Sequence, residues 1–238
     1  NQPYLFPTVM MILLIVGGTI CSFFIARVAL NYAGGRAALP AGILAILIPG
    51  MWFSLSVATP EPLAAAFLAA GFFLTLQKRY IPAAIFFAIA ALTRESTILF
   101  IVAIAIFEFL KDKKLRVPLI LMASIFPYFM WRLYVAITLS AMRGWKGFFF
   151  EPGNVGLPFA GVIQAYQQIM NGKYIAPVTV PAIVLPIVLV FMLLVFIFVY
   201  RKTKHSMAII GAMYAFLALS LSYKKVWTDV SNVERQSY

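Results

Sequence analysis

Residues 77–116 read QKRYIPAAIFFAIAALTRESTILFIVAIAIFEFLKDKKLR. Two apolar runs, 80–93 and 96–110, meet at Arg94-Glu95, and a basic cluster closes each outer end, Lys78-Arg79 before and Lys111 to Arg116 after. As a single helix, 80–110 would be about 46 Å long at 1.5 Å per residue. That exceeds a hydrocarbon core of about 30 Å and would put the two basic clusters on opposite faces of a bilayer. Folded back as a hairpin of two short helices, the segment keeps both clusters on one face. A hairpin is therefore expected, and the orientation of the rest follows from it.

The surrounding chain supplies the membrane. Of 238 residues, 63% are hydrophobic and 11% charged, against about 45–50% and about 25% in soluble domains, so neither a soluble globule nor a disordered chain fits. Apolar segments fall at roughly 5–30, 37–55, 60–76, 80–93, 96–110, 117–138, 178–200 and 206–222. The expected fold is all-α, a polytopic helical bundle of about eight spans forming a single transmembrane domain over 1–238. Arg36, Lys78-Arg79, the 111–116 cluster and the 201–204 cluster hold ten Lys/Arg and one acid, Asp112; the loops on the other side hold seven Lys/Arg and five acids. The positive-inside rule makes the first side cytoplasmic. The net charge of +12 is read as topology signal and headgroup contact, with membrane lipids and not nucleic acid as the partner.

Several residue types are too scarce for common chemistries. A lone Cys21 excludes an intrachain disulfide framework and a cysteine-based zinc site. The one histidine, His205, sits among Arg201, Lys202 and Lys204, a poor setting for a cation, so no metal held by His or Cys is expected; no cofactor is expected either. Asn1 is followed by no basic leader region, and the polar 231–238 ends without a tail; the chain reads as an excerpt of a longer one.

Charge at membrane depth marks the candidate site. The hairpin helices rise only about 20–22 Å, so their tip at Arg94-Glu95 stays within the core. An arginine isolated in lipid there would cost at least about 2.5–3.5 kcal/mol. Either Arg94 and Glu95 neutralise each other, or Arg94 faces a wet cavity and binds an anion. Arg132, about 22 Å along span 117–138, reaches a similar depth in the aromatic setting Trp131-Arg132-Leu133-Tyr134; snorkelling to the headgroups is the alternative to a functional role. Glu61 in Thr59-Pro60-Glu61-Pro62 suits an ordinary helix start, or it lines an outer cavity beside Arg94 and Arg132. Residues 139–177 read as an outer loop with an interfacial helix: Phe159, Val162, Ile163, Tyr166, Ile169 and Met170 follow helical spacing, with glutamines between and Asn171-Gly172 as the stop. That segment is either a loop anchor or a lid over a lipid entry groove.

The text SVATPEPLAAAF at 56–67, QKRYIPAA at 77–84 and AALTRES at 90–96 resembles membrane glycosyltransferases of the GT-C superfamily, especially prokaryotic mannosyltransferase-like members. VWTD at 226–229 and NVER at 232–235 look like an outer loop of the same family. The resemblance implies transfer of a sugar from a polyprenyl-phosphate carrier at an extracytoplasmic site in a prokaryotic cell membrane. It also implies a substrate-binding set of Arg94, Glu95, Glu61, Arg132, Asn232 and Arg235, with the catalytic acid upstream of Asn1 and no catalytic residue matched here. Arginine suits the role, since its planar fork holds phosphate bidentately. Inverting transfer needs a general base and a stabilised leaving phosphate, and these residues address the second requirement.

A transporter or flippase is the rival of a different class, because broken helices and charge at the midplane are expected there too. Alternating access calls for polar residues in both halves of the bilayer, whereas these gather at one depth. The topology predicts both termini and 139–177 outside, and 33–36, 77–79, 111–116 and 201–205 inside. In a background lacking Cys21, an impermeant thiol reagent applied from outside should label Asn154→Cys and spare Thr203→Cys; the reverse pattern would invert the orientation.

Overall fold

In the computed structural model of the chain, residues 5–47, 51, 54, 59–143, 157–171 and 176–220 are described. Among them every element is a helix and none is a strand. In order these are α1 (Leu5–Ala33), α2 (Gly35–Leu47), α3 (Glu61–Leu76), α4 (Tyr80–Thr93), α5 (Thr97–Asp112), α6 (Arg116–Ala123), α7 (Phe126–Arg143), α8 (Ala160–Met170), α9 (Ala176–Thr203) and α10 (Ser206–Leu219). Thr8–Ala33, Arg116–Thr138 and Pro186–Thr203 are long and apolar enough to cross a membrane. The apolar helices α2, α3, α4 and α10 are shorter, 13 to 16 residues, or about 20–24 Å. Large apolar side chains stand exposed along these helices, among them Ile12, Phe23, Trp131, Phe191 and Phe198. Contiguous apolar surface of that extent fits lipid contact, and the chain is consistent with an integral membrane protein.

The chain divides into two compact units, Asn1–Leu133 and Tyr134–Tyr238. In the first, successive helices pack through small residues. A Cβ on Gly17 of α1 would sit 2.9 Å from the Leu63 side chain and 3.1 Å from its backbone nitrogen, so α1 and α3 cross nearly in backbone contact. The Ser22 hydroxyl donates to the Gly42 carbonyl at 2.8 Å and joins α1 to α2. Ala64, Ala66 and Ala70 of α3 and Ala83, Ala90 and Ala91 of α4 are buried. Lipid is as apolar as these side chains, so helices associate by close van der Waals packing, which small residues permit.

The hairpin is present. Arg94 ends α4 in an extended conformation (φ −154°, ψ 124°), and α5 begins at Thr97. The two helices fold back on each other: the Phe87 and Phe100 rings lie 6.2 Å apart, and Tyr80, at the start of α4, is close enough to Glu108, near the end of α5, for the two side chains to interact. In one straight helix those last two residues would be about 42 Å apart. The basic turns 77–79 and 113–115 therefore share one end of the unit.

One expected span is interrupted. Segment 117–138 is two helices, α6 and α7, separated by a turn at Ser124-Ile125, whose N–H groups donate three residues back to Leu121 and Met122 at 3.1 Å each. Pro127 explains the break, because its ring clashes with the carbonyl four residues earlier, at Ala123, and it has no N–H to donate there.

In the second unit, α9 and α10 form a hairpin in which a Cβ on Gly211 would lie 2.6 Å from the Phe196 ring. The amphipathic helix expected near 158–170 is α8. Its Ala165 is fully buried, while Ile163, Tyr166 and Met170, with Phe159 just before the helix, are exposed, so these apolar side chains stand at the surface. The Phe159 N–H donates to the Leu219 carbonyl at 2.8 Å and anchors the start of α8 to the end of α10.

Gly71 offers a test of the packing. A Cβ there would stand 2.6 Å from Phe87, a ring with no exposed surface, so the ring has little room to yield. Gly71→Ala should destabilise by about 1–3 kcal/mol, the usual cost of overpacking, read as a lower unfolding temperature in detergent. Adding Phe87→Leu should recover much of the loss.

Candidate functional site at the hairpin tip

Two features of local sequence build the tip. Pro60 and Pro62 flank Glu61 at the start of α3; proline suits a first helical turn, whose N–H groups lack intrahelical acceptors, and an acid there meets the positive end of the helix dipole. At the other element, Thr93-Arg94-Glu95-Ser96-Thr97 stops one helix and starts the next. The Arg94 N–H still donates to Ala90 at 2.8 Å, while its carbonyl accepts from the Thr97 hydroxyl at 2.7 Å and the Thr97 N–H at 3.2 Å. Arg94 is thus the last donor of α4 and the first acceptor of α5, and its backbone is fixed between them.

That side chain pairs with Glu61. Arg94 Nη1 contacts Glu61 Oε1, with the two side chains 22% and 16% exposed. The contact is one of opposite charges without hydrogen-bond alignment, and Glu61 Oε2 is buried with no hydrogen-bond donor among the described residues. A guanidinium has five N–H donors, more than one carboxylate oxygen uses.

The adjacent acid turns elsewhere. The Tyr128 hydroxyl of α7 donates to Glu95 Oε2 at 2.8 Å. Arg132 lies one turn further along the same face and is close enough for its charge to act on that hydroxyl. Mutual neutralisation of Arg94 and Glu95 is not the arrangement found; each finds its partner on another helix. Within the first unit the structure thus brings together Glu61 with Arg94, and Glu95 with Tyr128 and Arg132. Asn232 and Arg235 lie outside the described residues.

Tyr128 was not singled out from the sequence. Its signal was there: it stands four residues before Arg132, hence on the same helix face, and about 18 Å along the segment from Arg116. Among the described residues no three His, Cys, Asp or Glu side chains gather as a metal-ligand set. The tip offers a guanidinium for an anion, a buried carboxylate oxygen for a hydroxyl, and a phenol–carboxylate tie that fixes α7 to the hairpin.

Comparison with protein families, with curated proteins and with solved structures finds no match for the chain.

A double-mutant cycle should expose the ion pair. Arg94→Gln leaves Glu61 without its counter-charge and should destabilise by about 3 kcal/mol, the lower figure for a buried pair broken on one side. Glu61→Gln should act similarly on Arg94. The double Glu61→Gln/Arg94→Gln variant should be less destabilised than the sum of the two. Additive losses in thermal unfolding would mean that the pair contributes no coupling.

Proposed function

We propose that the protein is a membrane glycosyltransferase that takes a sugar from a polyprenyl-phosphate donor, in an eight-span bundle of the GT-C kind with its site on the extracytoplasmic face. The observation that carries this reading is the pairing at the hairpin tip. A guanidinium held at membrane depth by Glu61 has donors over for the donor phosphate, and the second oxygen of that carboxylate is buried without a donor, suited to a sugar or acceptor hydroxyl. Arg132 adds positive charge beside the Glu95–Tyr128 tie.

In this reading Arg94 stabilises the phosphate as it leaves, where fixed donors in a site of low dielectric are most effective. Glu61 has two duties, orienting Arg94 through one oxygen and a hydroxyl through the other. The Glu95–Tyr128 bond is positional, holding α7 against the tip. The general base is assigned to none of these residues. The one-sided placement of the charges favours a transferase over an alternating-access carrier.

Full-length protein in proteoliposomes, supplied with radiolabelled polyprenyl-phosphate sugars and a membrane extract as acceptor source, should release label from the donor into a new product. Arg94→Lys keeps the charge but loses the planar fork. It should lower donor affinity roughly 10–150-fold, the equivalent of about 1.5–3 kcal/mol for a charged hydrogen bond, while the protein still inserts. Full activity in Arg94→Lys would remove Arg94 from the site. Movement of labelled lipid between leaflets without transfer would favour the flippase.

A further inference from the structure

Four helices end in the same kind of turn. After α1, α3, α5 and α9 one residue adopts a left-handed backbone: Gly34 (φ +77°), Lys78 (φ +60°), Lys113 (φ +55°) and Lys204 (φ +53°). The hydrogen bonds define the caps. The N–H groups of Gly34, Lys113 and Lys204 donate four residues back, to Leu30, Phe109 and Tyr200, at 3.2, 2.8 and 2.8 Å. After α3, Lys78 donates to Thr75 and Arg79 to Leu74, both at 2.9 Å, which is the two-bond Schellman arrangement. Glycine is the usual residue here because any Cβ is penalised in this region. The chain uses glycine once and lysine three times; among the described residues, Phe159 is the other non-glycine with positive φ.

Lysine at these positions exchanges conformational ease for charge. A cation beside the last carbonyls of a helix recovers something from the helix dipole, but typically less than the left-handed penalty of a side chain. The balance points to a further use for the charge, and the surroundings indicate which. The hairpin brings two of these turns to one end of the first unit, where the charges of Lys78 and Lys111 both act on Glu108. Lys78, Arg79, Lys111, Lys113, Lys114 and Arg116 are all exposed there, with Asp112 the single exposed acid. Apolar side chains continue up to the lysines: Phe109 and Leu110 are exposed, and Lys113 Nζ stands over the Phe109 ring at 5.8 Å. In the second unit Lys204 repeats the device, over Tyr200 at 5.0 Å. Ammonium groups rimming an apolar helix surface match a ligand with a phosphate at one end and acyl chains at the other. A nucleic acid or an acidic peptide would have no use for the apolar rim.

We propose that the Lys78–Lys113 end of the first unit is a binding surface for anionic phospholipid, its phosphate held by the ammonium groups of the two turns and its chains along Phe109 and Leu110. The surface is at the opposite end of the hairpin from Arg94 and does not depend on what that site does. Electron spin resonance of the full chain in phosphatidylcholine bilayers, with spin-labelled phosphatidylglycerol or phosphatidylcholine as probe, measures the preference directly. The wild type should select phosphatidylglycerol, less so at high salt. Lys78→Gly/Lys113→Gly should lose about fivefold in that selection per lysine removed, while unfolding in phosphatidylcholine at the same temperature as the wild type or a higher one. Lys78→Arg/Lys113→Arg should keep the selection. Unchanged selection in the glycine variant would reduce the lysines to helix caps and overturn the proposal. So would a glycine variant less stable than the wild type, since the lysines would then be serving the fold.

Discussion

The guanidinium of Arg94, at the tip of the 14-residue α4, is largely buried, and the first unit is organised around satisfying it. Arg94 stands at the end of α4 with its side chain only 22% exposed, so its charge needs a partner within the protein. Relief comes from Glu61, an acid held at the same end of the unit by the start of α3. Once those two side chains must meet, α3 and α4 must lie antiparallel, with their other ends joined by the short 77–79 turn.

The packing meets that demand through small residues. Gly71 and the buried alanines let α3 and α4 approach until the Phe87 ring fills the space against Gly71. Phe87 and Phe72 both touch Phe100 of α5, at 6.2 and 5.8 Å between ring centres, so the same aromatic cluster seats the second arm of the hairpin. The polar tip and the basic turns then occupy opposite ends of one compact set of helices.

Much of this was legible in the chain because it rests on length. The return at Arg94-Glu95 follows from a run too long for the bilayer and too evenly charged at its ends, and α4 occupies the expected 80–93. The nearness of Arg132 to the hairpin tip was legible too, since rise per residue carries it about as far along its segment as Arg94 is along α4, and its charge reaches the Tyr128 hydroxyl bonded to Glu95. What length does not reveal is azimuth. Glu61 meets Arg94, and Glu95 turns to Tyr128, because of how α3, α4 and α7 are rotated about their axes. That rotation is set by contacts such as Gly71 with Phe87, which no spacing rule announces. The break at Ser124-Ile125 was readable from Pro127 alone; apolarity on both sides of it makes 117–138 read as one hydrophobic run.

The pairing of Glu61 with Arg94 also bears on how the protein is made. The two residues are 33 positions apart, so at 5–20 residues per second the acid leaves the ribosome about 2–7 s before its partner. During that interval α3 alone would carry a carboxylate with no counter-charge into an apolar setting. Both charges stand at the open end of one helical hairpin, so α3 and α4 folding together neutralise each other with no help from later helices. The shortest segment that holds both charges and the helices that carry them is 61–94, a unit of two helices, not one.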